Sequence, residues 1–362
     1  MQLKIKTEKL KEMVSRAIKG ASNNKLIPIT SLMAVQLKDH VLTIITTDAT
    51  NYLYIKENKI EGDDFYVVVP VEVFSKLIAR MTCEIITLAV ESNILQVKGN
   101  GNYNIELPMD EEGEAIKYPD PLGEVKLQGE GKEIHLSTIQ TILNSVKPSL
   151  AMTLEIPCYT GYYVGDKVVA TDTYKIAMMD TKVSDEAMLV SPEAMNLLAV
   201  MTSEKINMDI VDNVIVFTSP DCVVYCTKME GFDEFDYDGL SGAVNAKFPS
   251  TCKIPKNSLL QVLDRLALFV SPYDKNGIHL TFTTDGLQIS SKSSSGVELI
   301  PYNESKKFKN FSCDIDIAML LSQIKAQATD MLEIHYGADT SIKMVDGNII
   351  QVTALLVEPD EE

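Results

Sequence analysis

The sequence predicts an α+β fold made of three similar domains, each with two helices packed on antiparallel sheets. The first observation is a helical segment that recurs: Leu77–Thr82, Leu197–Thr202 and Leu320–Lys325 resemble one another at spacings of 120 and 123 residues. Each copy is far longer than the solenoid repeats of about 20 to 50 residues. The repeats are therefore predicted to be whole domains.

A second pattern has the same period and consists of a strand instead of a helix. It occurs at Leu42–Asp48, Lys167–Asp172 and Leu287–Lys292, with spacings of 124 and 120 counted from the last residues. Since the two patterns agree, the 362 residues are predicted to divide into domains 1–121, 122–245 and 246–362. Each domain is long enough to bury a core of its own.

The first copy begins with a strand and a helix. Residues 1–6 alternate as a strand, and Thr7 is placed to cap a helix with an apolar stripe that ends at Gly20. Residues 29–55 then predict two strands joined by a turn at Asp39 and His40, followed by a strand at 65–69.

The second half of this copy repeats that order. Pro70 starts a helix whose inward residues include Phe74 and Ile78, and three strands follow at 85–90, 94–98 and 103–107. Glycines at 99 and 101 predict a hairpin turn between the last two strands.

The other two copies keep this order of elements, separated by predicted breaks at 118–121 and 236–242. Together with the first copy they give six predicted helices, at 7–20, 70–81, 137–147, 192–202, 257–269 and 315–328.

Composition is typical of a water-soluble chain, with 45% hydrophobic and 23% charged residues. No apolar run approaches the roughly 20 residues of a membrane-spanning helix, and residues 1–20 lack the unbroken apolar core of a secretory signal. We therefore expect a cytoplasmic protein that does not bind membranes.

The cysteines and histidines indicate neither disulfides nor a metal site. The six cysteines are scattered, and Cys222 and Cys226 lie within a strand-like run with no second pair at zinc-site spacing. We expect free thiols, no metal and no cofactor.

The chain resembles a known family, the bacterial-type DNA polymerase sliding clamp, which is the beta subunit of the replicative DNA polymerase III. The residues that carry the resemblance are Ile27-Pro28-Ile29, Leu42–Asp48, Val69-Pro70 and Val169–Asp172, in the family's order and spacing. The resemblance implies three clamp domains that form half of a closed ring. It further implies a homodimer that encircles double-stranded DNA without reading its sequence.

The predicted helices carry nine basic and six acidic side chains, a net charge of +3, whereas the whole chain carries −18. Helices lining a mildly positive hole in an acidic ring would suit weak contacts to phosphates. Equally, lysines opposite an apolar stripe are often only the solvated face of a helix. The predicted DNA-contacting residues are Lys9, Arg16, Lys19, Lys25, Lys76, Arg80, Lys147, Arg265 and Lys325.

The resemblance also implies a partner pocket in the middle domain, to which the DNA polymerase and the clamp loader bind through short peptides. By position the pocket comprises Thr171, Thr173, Tyr174, Lys175, Ile176, Phe232, Tyr237 and Leu355. The carboxylates between Glu230 and Asp238 favour a peptide that carries lysine or arginine.

In the family, the last strand of the first domain pairs with the third domain of the other chain. Apolar residues at a strand edge need such a cover. The residues at these positions are Tyr103, Ile105, Leu107, Phe269 and Val270.

Two features depart from the family pattern. The first is the sequence Asp172–Lys175, and the second is the sequence Thr353–Leu356, which is followed by an acidic tail from Glu358 to Glu362. The alternative is therefore a divergent clamp-like scaffold of a phage, a plasmid or a repair or regulatory system that lacks standard replication partners.

Catalysis is not expected. The chain contains no G-x-x-x-x-G-K-[ST], G-x-S-x-G or H-E-x-x-H motif. Asp48 and Asp172 occupy the same place in successive copies, which predicts that each caps a turn instead of forming a catalytic pair.

Overall fold

The computed structural model describes residues 1–127, 131–292 and 296–356. Predictions about the acidic tail therefore lie outside the described residues. Within this part of the chain there are seven α-helices: α1 Thr7–Ala17, α2 Val71–Arg80, α3 Leu136–Thr141, α4 Pro192–Leu198, α5 Tyr237–Asn245, α6 Lys256–Leu266 and α7 Ile317–Ala326.

The same residues form twenty-five strands, all paired antiparallel. They are β1 Gln2–Lys6, β2 Leu32–Lys38, β3 Val41–Thr47, β4 Tyr52–Glu57, β5 Phe65–Pro70, β6 Ile85–Glu91, β7 Ile94–Lys98, β8 Asn102–Glu106, β9 Lys132–His135, β10 Tyr162–Val164, β11 Val168–Thr171, β12 Lys175–Met179, β13 Met188–Val190, β14 Lys205–Val211, β15 Val214–Ser219, β16 Cys222–Thr227, β17 Ser250–Pro255, β18 Gly277–Phe282, β19 Leu287–Ser291, β20 Val297–Ile300, β21 Glu304–Lys306, β22 Phe311–Asp316, β23 Met331–Tyr336, β24 Ser341–Asp346 and β25 Ile349–Ala354.

Two compact units make up the chain. The first, residues 1–139 with 193–228, holds the sheets β1-β6-β7-β8 and β5-β2-β3-β4-β16-β15-β14-β9. The second, residues 140–192 with 229–362, holds β13-β10-β11-β12-β25-β24-β23-β17-β21 and β20-β19-β18-β22. The predicted α+β class with repeated domains is therefore confirmed.

The two long sheets show how neighbouring copies of the repeat are joined. In the first long sheet, the first copy supplies β5-β2-β3-β4 and the second copy supplies β16-β15-β14-β9. In the second long sheet, β13-β10-β11-β12 of the second copy join five strands of the third, β25-β24-β23-β17-β21. In the first unit, β4 pairs with β16, with Ile55 opposite Cys222. In the second unit, β12 pairs with β25, with Met179 opposite Ile349. The compact units therefore do not coincide with the predicted copies, whose boundaries remain a prediction.

Alternating burial explains why these segments form strands. In the first unit, Ala34, Ile45, Tyr54 and Val68 of the first copy pack with Val216 and Val223 of the second. In the second unit, the third copy buries Phe282 against Tyr336, with ring centroids 3.9 Å apart. These clusters hold together the sheets that carry the candidate site.

Several element predictions were wrong in detail. Residues 29–57 contain three strands instead of two, because β4 follows the turn after Thr47. Thr7 is the first residue of α1 and not its cap, since Lys6 occupies the N-cap position. The helix predicted at 137–147 is α-helical only to Thr141 and continues as a π-helical turn, Ile142–Val146, before Pro148.

Another predicted feature, the break at 236–242, is in fact the start of α5. The Asp236 carboxylate accepts a hydrogen bond from the backbone N–H of Gly239 at 2.9 Å and so caps the helix. Six helices were predicted and seven are found in the described residues.

Candidate functional site

A pocket of about 810 Å³ lies on the second unit. One wall is the segment that follows the π-helical turn, and the other is the turn between β11 and β12. The lining residues are Lys147, Pro148, Leu150, Ala151, Met152, Thr153, Glu155, Ile156, Tyr159, Asp172, Thr173, Tyr174, Lys175 and Pro192.

Asp172 shapes the second wall. Its carboxylate accepts hydrogen bonds from the backbone N–H groups of Tyr174 and Lys175 at 3.0 and 2.7 Å. Thr173 takes a left-handed backbone conformation with φ of 76°. The tight turn leaves the Tyr174 side chain 60% exposed at the pocket.

The ammonium group of Lys175 is held in place instead of projecting into solvent. It donates to the Pro148 carbonyl at 2.7 Å and pairs with the Asp172 carboxylate at 3.2 Å. These contacts tie the two pocket walls together, because Pro148 belongs to one wall and Asp172 to the other.

Buried amides stabilise the strands next to the pocket. Gln323 of α7 is fully buried and donates to the carbonyl of Val352 at 3.1 Å and to the Ser149 hydroxyl at 3.4 Å, and its own carbonyl accepts from the Thr353 hydroxyl. Since buried amides without partners are costly, this network favours a single arrangement of α7 against β25 and residue 149.

The predicted pocket residues come together only in part. Thr173, Tyr174 and Lys175 line the pocket, whereas Thr171 and Ile176 are buried beneath the turn. Three further residues lie elsewhere in the second unit: Phe232 and Tyr237 belong to an aromatic cluster, and Leu355 packs on the core of the third copy.

The first wall was missed by sequence reasoning. Met152 is completely exposed, Leu154 is 77% exposed and Ile156 is 39% exposed. The signal was available, because apolar residues alternate between Pro148 and Pro157 where no strand partner was predicted.

The aromatic cluster adjoins the pocket at Tyr159. Tyr163 stacks on Tyr237, Phe235 and Phe232 at centroid distances of 4.6, 5.4 and 5.9 Å, and Tyr159 meets Phe235 edge-on at 5.3 Å. Burial, followed by the nearby Asp166 carboxylate, raises the pKa of Tyr237 to about 12. The Tyr237 hydroxyl therefore stays protonated and donates to the Asp166 carboxylate at 3.5 Å.

Four of the predicted DNA-contacting residues are paired with carboxylates of the chain, namely Arg16, Lys9, Arg265 and Lys76. Arg16 is only 12% exposed and binds Asp221 at 2.7 Å and the Val200 carbonyl at 2.9 Å. Lys9 pairs with Glu57 at 2.9 Å, and that hydrogen bond raises its pKa. Arg265 forms a bidentate pair with Glu298.

Lys76 and the five remaining predicted cations are exposed. Lys76 pairs with Glu72 one turn away on α2, a surface contact of small energy. The exposed side chains are Lys19, Lys25, Lys76, Arg80, Lys147 and Lys325.

At the predicted interface positions, β8 and β20 are edge strands of their sheets. Tyr103 is 40% exposed on β8, but Ile105 is buried and Leu107 is half-buried. Near β20, Val297, Leu299 and Phe269 are each about half exposed, while Val270 packs on the core. The edges thus combine open backbone with exposed apolar side chains.

The expectations about turns and cysteines are confirmed. Asp48 accepts hydrogen bonds from the backbone N–H groups of Thr50 and Asn51, and Asp172 accepts the equivalent bonds in the second copy.

All six cysteines are free thiols, and burial raises the pKa of Cys222 to about 12. In the described part of the chain no three His, Cys, Asp or Glu side chains cluster as metal ligands. No described helix is both long and apolar enough to cross a membrane.

The fold is that of a DNA polymerase sliding clamp. Solved clamps from Bacillus subtilis and Streptococcus pyogenes match 99% of this chain and 100% of their own at TM-scores of 0.86, with 15% and 14% identity. The DNA polymerase III beta subunit of Thermotoga maritima matches over the same shares, with a TM-score of 0.82 and 17% identity.

In the sequence, residues 1–117 match the family described as DNA polymerase III beta subunit, N-terminal domain. No curated protein sequence matches. The predicted resemblance is thus confirmed by the family match over residues 1–117 and by the sliding-clamp fold over 99% of the chain.

Proposed function

We propose that the protein is a non-catalytic processivity clamp that closes around duplex DNA as a homodimer and tethers a DNA polymerase. The observation that carries this proposal is the clamp fold over 99% of the chain. We place the protein in the cytoplasm with the DNA it serves, and we keep 1–121, 122–245 and 246–362 as the three clamp domains.

The strand pairing within the chain supports head-to-tail closure. At the first junction, β4 ends the meander β2-β3-β4 of the first copy and pairs with β16, the last strand of the second copy. At the second junction, β12 ends the meander β10-β11-β12 of the second copy and pairs with β25, the last strand of the third copy. In the third copy β20 corresponds to β4 and β12, and in the first copy β8 corresponds to β16 and β25. A second chain can continue the series by pairing its β8 with this β20.

For DNA we infer topological holding supported by weak contacts. Exposed cations such as Lys19, Lys25 and Arg80 supply those contacts, whereas Lys9, Arg16, Lys76 and Arg265 are paired with carboxylates. A chain with a net charge of −18 cannot provide the many phosphate contacts of a dedicated DNA-binding protein.

The pocket on the second unit is the proposed site for short peptides of the polymerase and the clamp loader. Exposed apolar side chains around a concave pocket are the usual anchors for such peptides. Tyr174 and Met152 are the residues best placed to contact them, since both line the pocket and are exposed.

Retention on DNA tests this function. We expect protein loaded on a nicked circle to stay bound at moderate salt and to be lost when the circle is linearised, because a ring can slide off an end. Equal release from circular and linear DNA would contradict the ring and favour the clamp-like scaffold. The control is the linear DNA with both ends blocked by bound protein, which should restore retention.

A further inference from the structure

We propose that the peptide bound in this pocket carries lysine or arginine beside its apolar anchors, on the side of Tyr159. This inference rests on the proposed role of the pocket and adds the charge of the partner.

An acidic strip adjoins the pocket. We define it as Glu230, Asp233, Glu234, Asp236 and Asp238, five carboxylates with no lysine or arginine between Lys228 and Lys247. Apart from Glu230, these residues belong to the 3₁₀ turn Phe232–Glu234, to α5 or to the cap of α5, so the backbone fixes their positions.

Tyr159 connects this strip to the pocket. The tyrosine lines the pocket, its hydroxyl contacts the backbone of Asp236, and its ring packs edge-on against Phe235. Next to it, the pKa of Cys158 is raised by burial and then by the Glu234 carboxylate, which places that charge near the same wall. A peptide that leaves the pocket past Tyr159 therefore meets carboxylates.

The two lysines of the pocket do not offset the negative charge of the carboxylates near Tyr159. Lys175 is paired with Asp172 and fixed to the Pro148 carbonyl, and Glu155 is a second carboxylate in the lining that contains Lys147. The lining therefore contains two cations and two carboxylates, and the strip adds only negative charge.

The strip also provides an aromatic surface for a cation. The ring of Phe232 is 39% exposed and stacks on Tyr163, while Asp166 lies 3.5 Å from the Tyr237 hydroxyl. Ammonium and guanidinium groups bind the faces of aromatic rings, and the neighbouring carboxylates add to the attraction.

Selection of peptides on the intact protein tests the inference. A phage-displayed library of random octapeptides is the probe, and we expect the selected sequences to combine apolar residues with lysine or arginine. A selected peptide is then labelled, and its affinity is measured by fluorescence anisotropy at low and high salt.

The test variant is Asp233→Asn/Glu234→Gln/Asp238→Asn, which spares Asp236 because that side chain caps α5. Three exposed charge pairs predict about tenfold weaker binding at low salt and a smaller dependence on salt. The matched control, Glu111→Gln/Glu112→Gln/Glu114→Gln, removes three exposed carboxylates of the first copy and should bind as the wild type does.

Each result bears on a different part of the argument. Selected peptides without basic residues, or equal affinity of the test variant and the wild type, would overturn the inference and leave the pocket intact. Full binding by Met152→Ala/Tyr174→Ala would instead contradict the pocket as the peptide site. A selection that yields no binder would contradict both.

Discussion

At the residue scale, Arg16 shows how a cation on an amphipathic helix can serve the fold. The sequence places it on the polar face of the first helix, where a DNA contact was predicted. The structure instead joins its guanidinium to Asp221 and to the Val200 carbonyl, both from the second copy but within the first unit. Because the partners lie about 200 residues apart in the sequence, the local residue pattern around Arg16 does not indicate the pairing, and it could not be predicted from the sequence.

Replacing Arg16 should therefore weaken the fold. We expect Arg16→Ala to lower the free energy of unfolding by about 2 kcal/mol, because the partly buried Asp221 carboxylate loses its ionic partner. Urea denaturation measures the change. The control is Arg80→Ala, an exposed arginine on α2, for which we expect a change within about 0.5 kcal/mol.

Low pH should reduce the difference in the free energy of unfolding between the wild type and Arg16→Ala. Burial would raise the pKa of Asp221, but hydrogen bonds from Arg16, Thr202 and Ser219 outweigh burial and lower it. A lowered pKa stabilises the folded state above the unfolded value of about 3.9, and this contribution is lost as the pH falls through the folded value. The stability gap between wild type and Arg16→Ala should narrow below about pH 4. A gap of constant size would show that the ion pair does not cause it.

At the element scale, the repeated turns were predictable and the helix α5 was not. Asp48 and Asp172 each accept hydrogen bonds from two following backbone N–H groups, which is a local property of aspartate. Residues 236–245 instead contain two glycines and two acids, a composition typical of a loop. Tertiary burial overrides it, since Val244 is buried and Leu240 packs on the core of the second unit.

A glycine-to-alanine pair tests α5. At Gly242 an added Cβ meets no atom within 4 Å, so Gly242→Ala should raise the free energy of unfolding by about 1 kcal/mol through better helix propensity. At Gly286, with φ of 156°, the same change would bring Cβ to 2.2 Å from the Ile300 carbonyl oxygen and should destabilise the protein. Thermal unfolding measures both, and a neutral Gly242→Ala would favour the loop that the sequence predicted.

At the scale of the whole molecule, the sequence predicted the repeat but not how the strands join the copies. The period near 120 residues can be found by inspection, whereas the pairing of β4 with β16 depends on backbone edges that carry no sequence signature. Burial decides which of the predicted interface residues can be used to test the contact. Ile105 is only 5% exposed in the single chain, so a charge at that position would disturb its own sheet as well as any interface.

Closure is better tested on β20. Val297 and Leu299 are 55% and 53% exposed, so Val297→Asp/Leu299→Asp leaves the core of the chain intact. If β20 of one chain pairs with β8 of the other, the added carboxylates would be buried in that contact, and the assembly should dissociate. We expect sedimentation at micromolar concentration to give about twice 40.1 kDa for the wild type and a monomer for the variant.

The arrangement of the two contacts makes this experiment more informative. Head-to-tail pairing that did not close would add chains without limit, whereas a two-membered ring stops at the dimer and has no free β8 or β20. The mass of the wild type should therefore not rise further with concentration. Leu26→Asp is the control, since Leu26 is apolar and 90% exposed but lies on neither edge, and it should remain a dimer. A variant at β20 that still sediments as the wild type would place the contact on another surface.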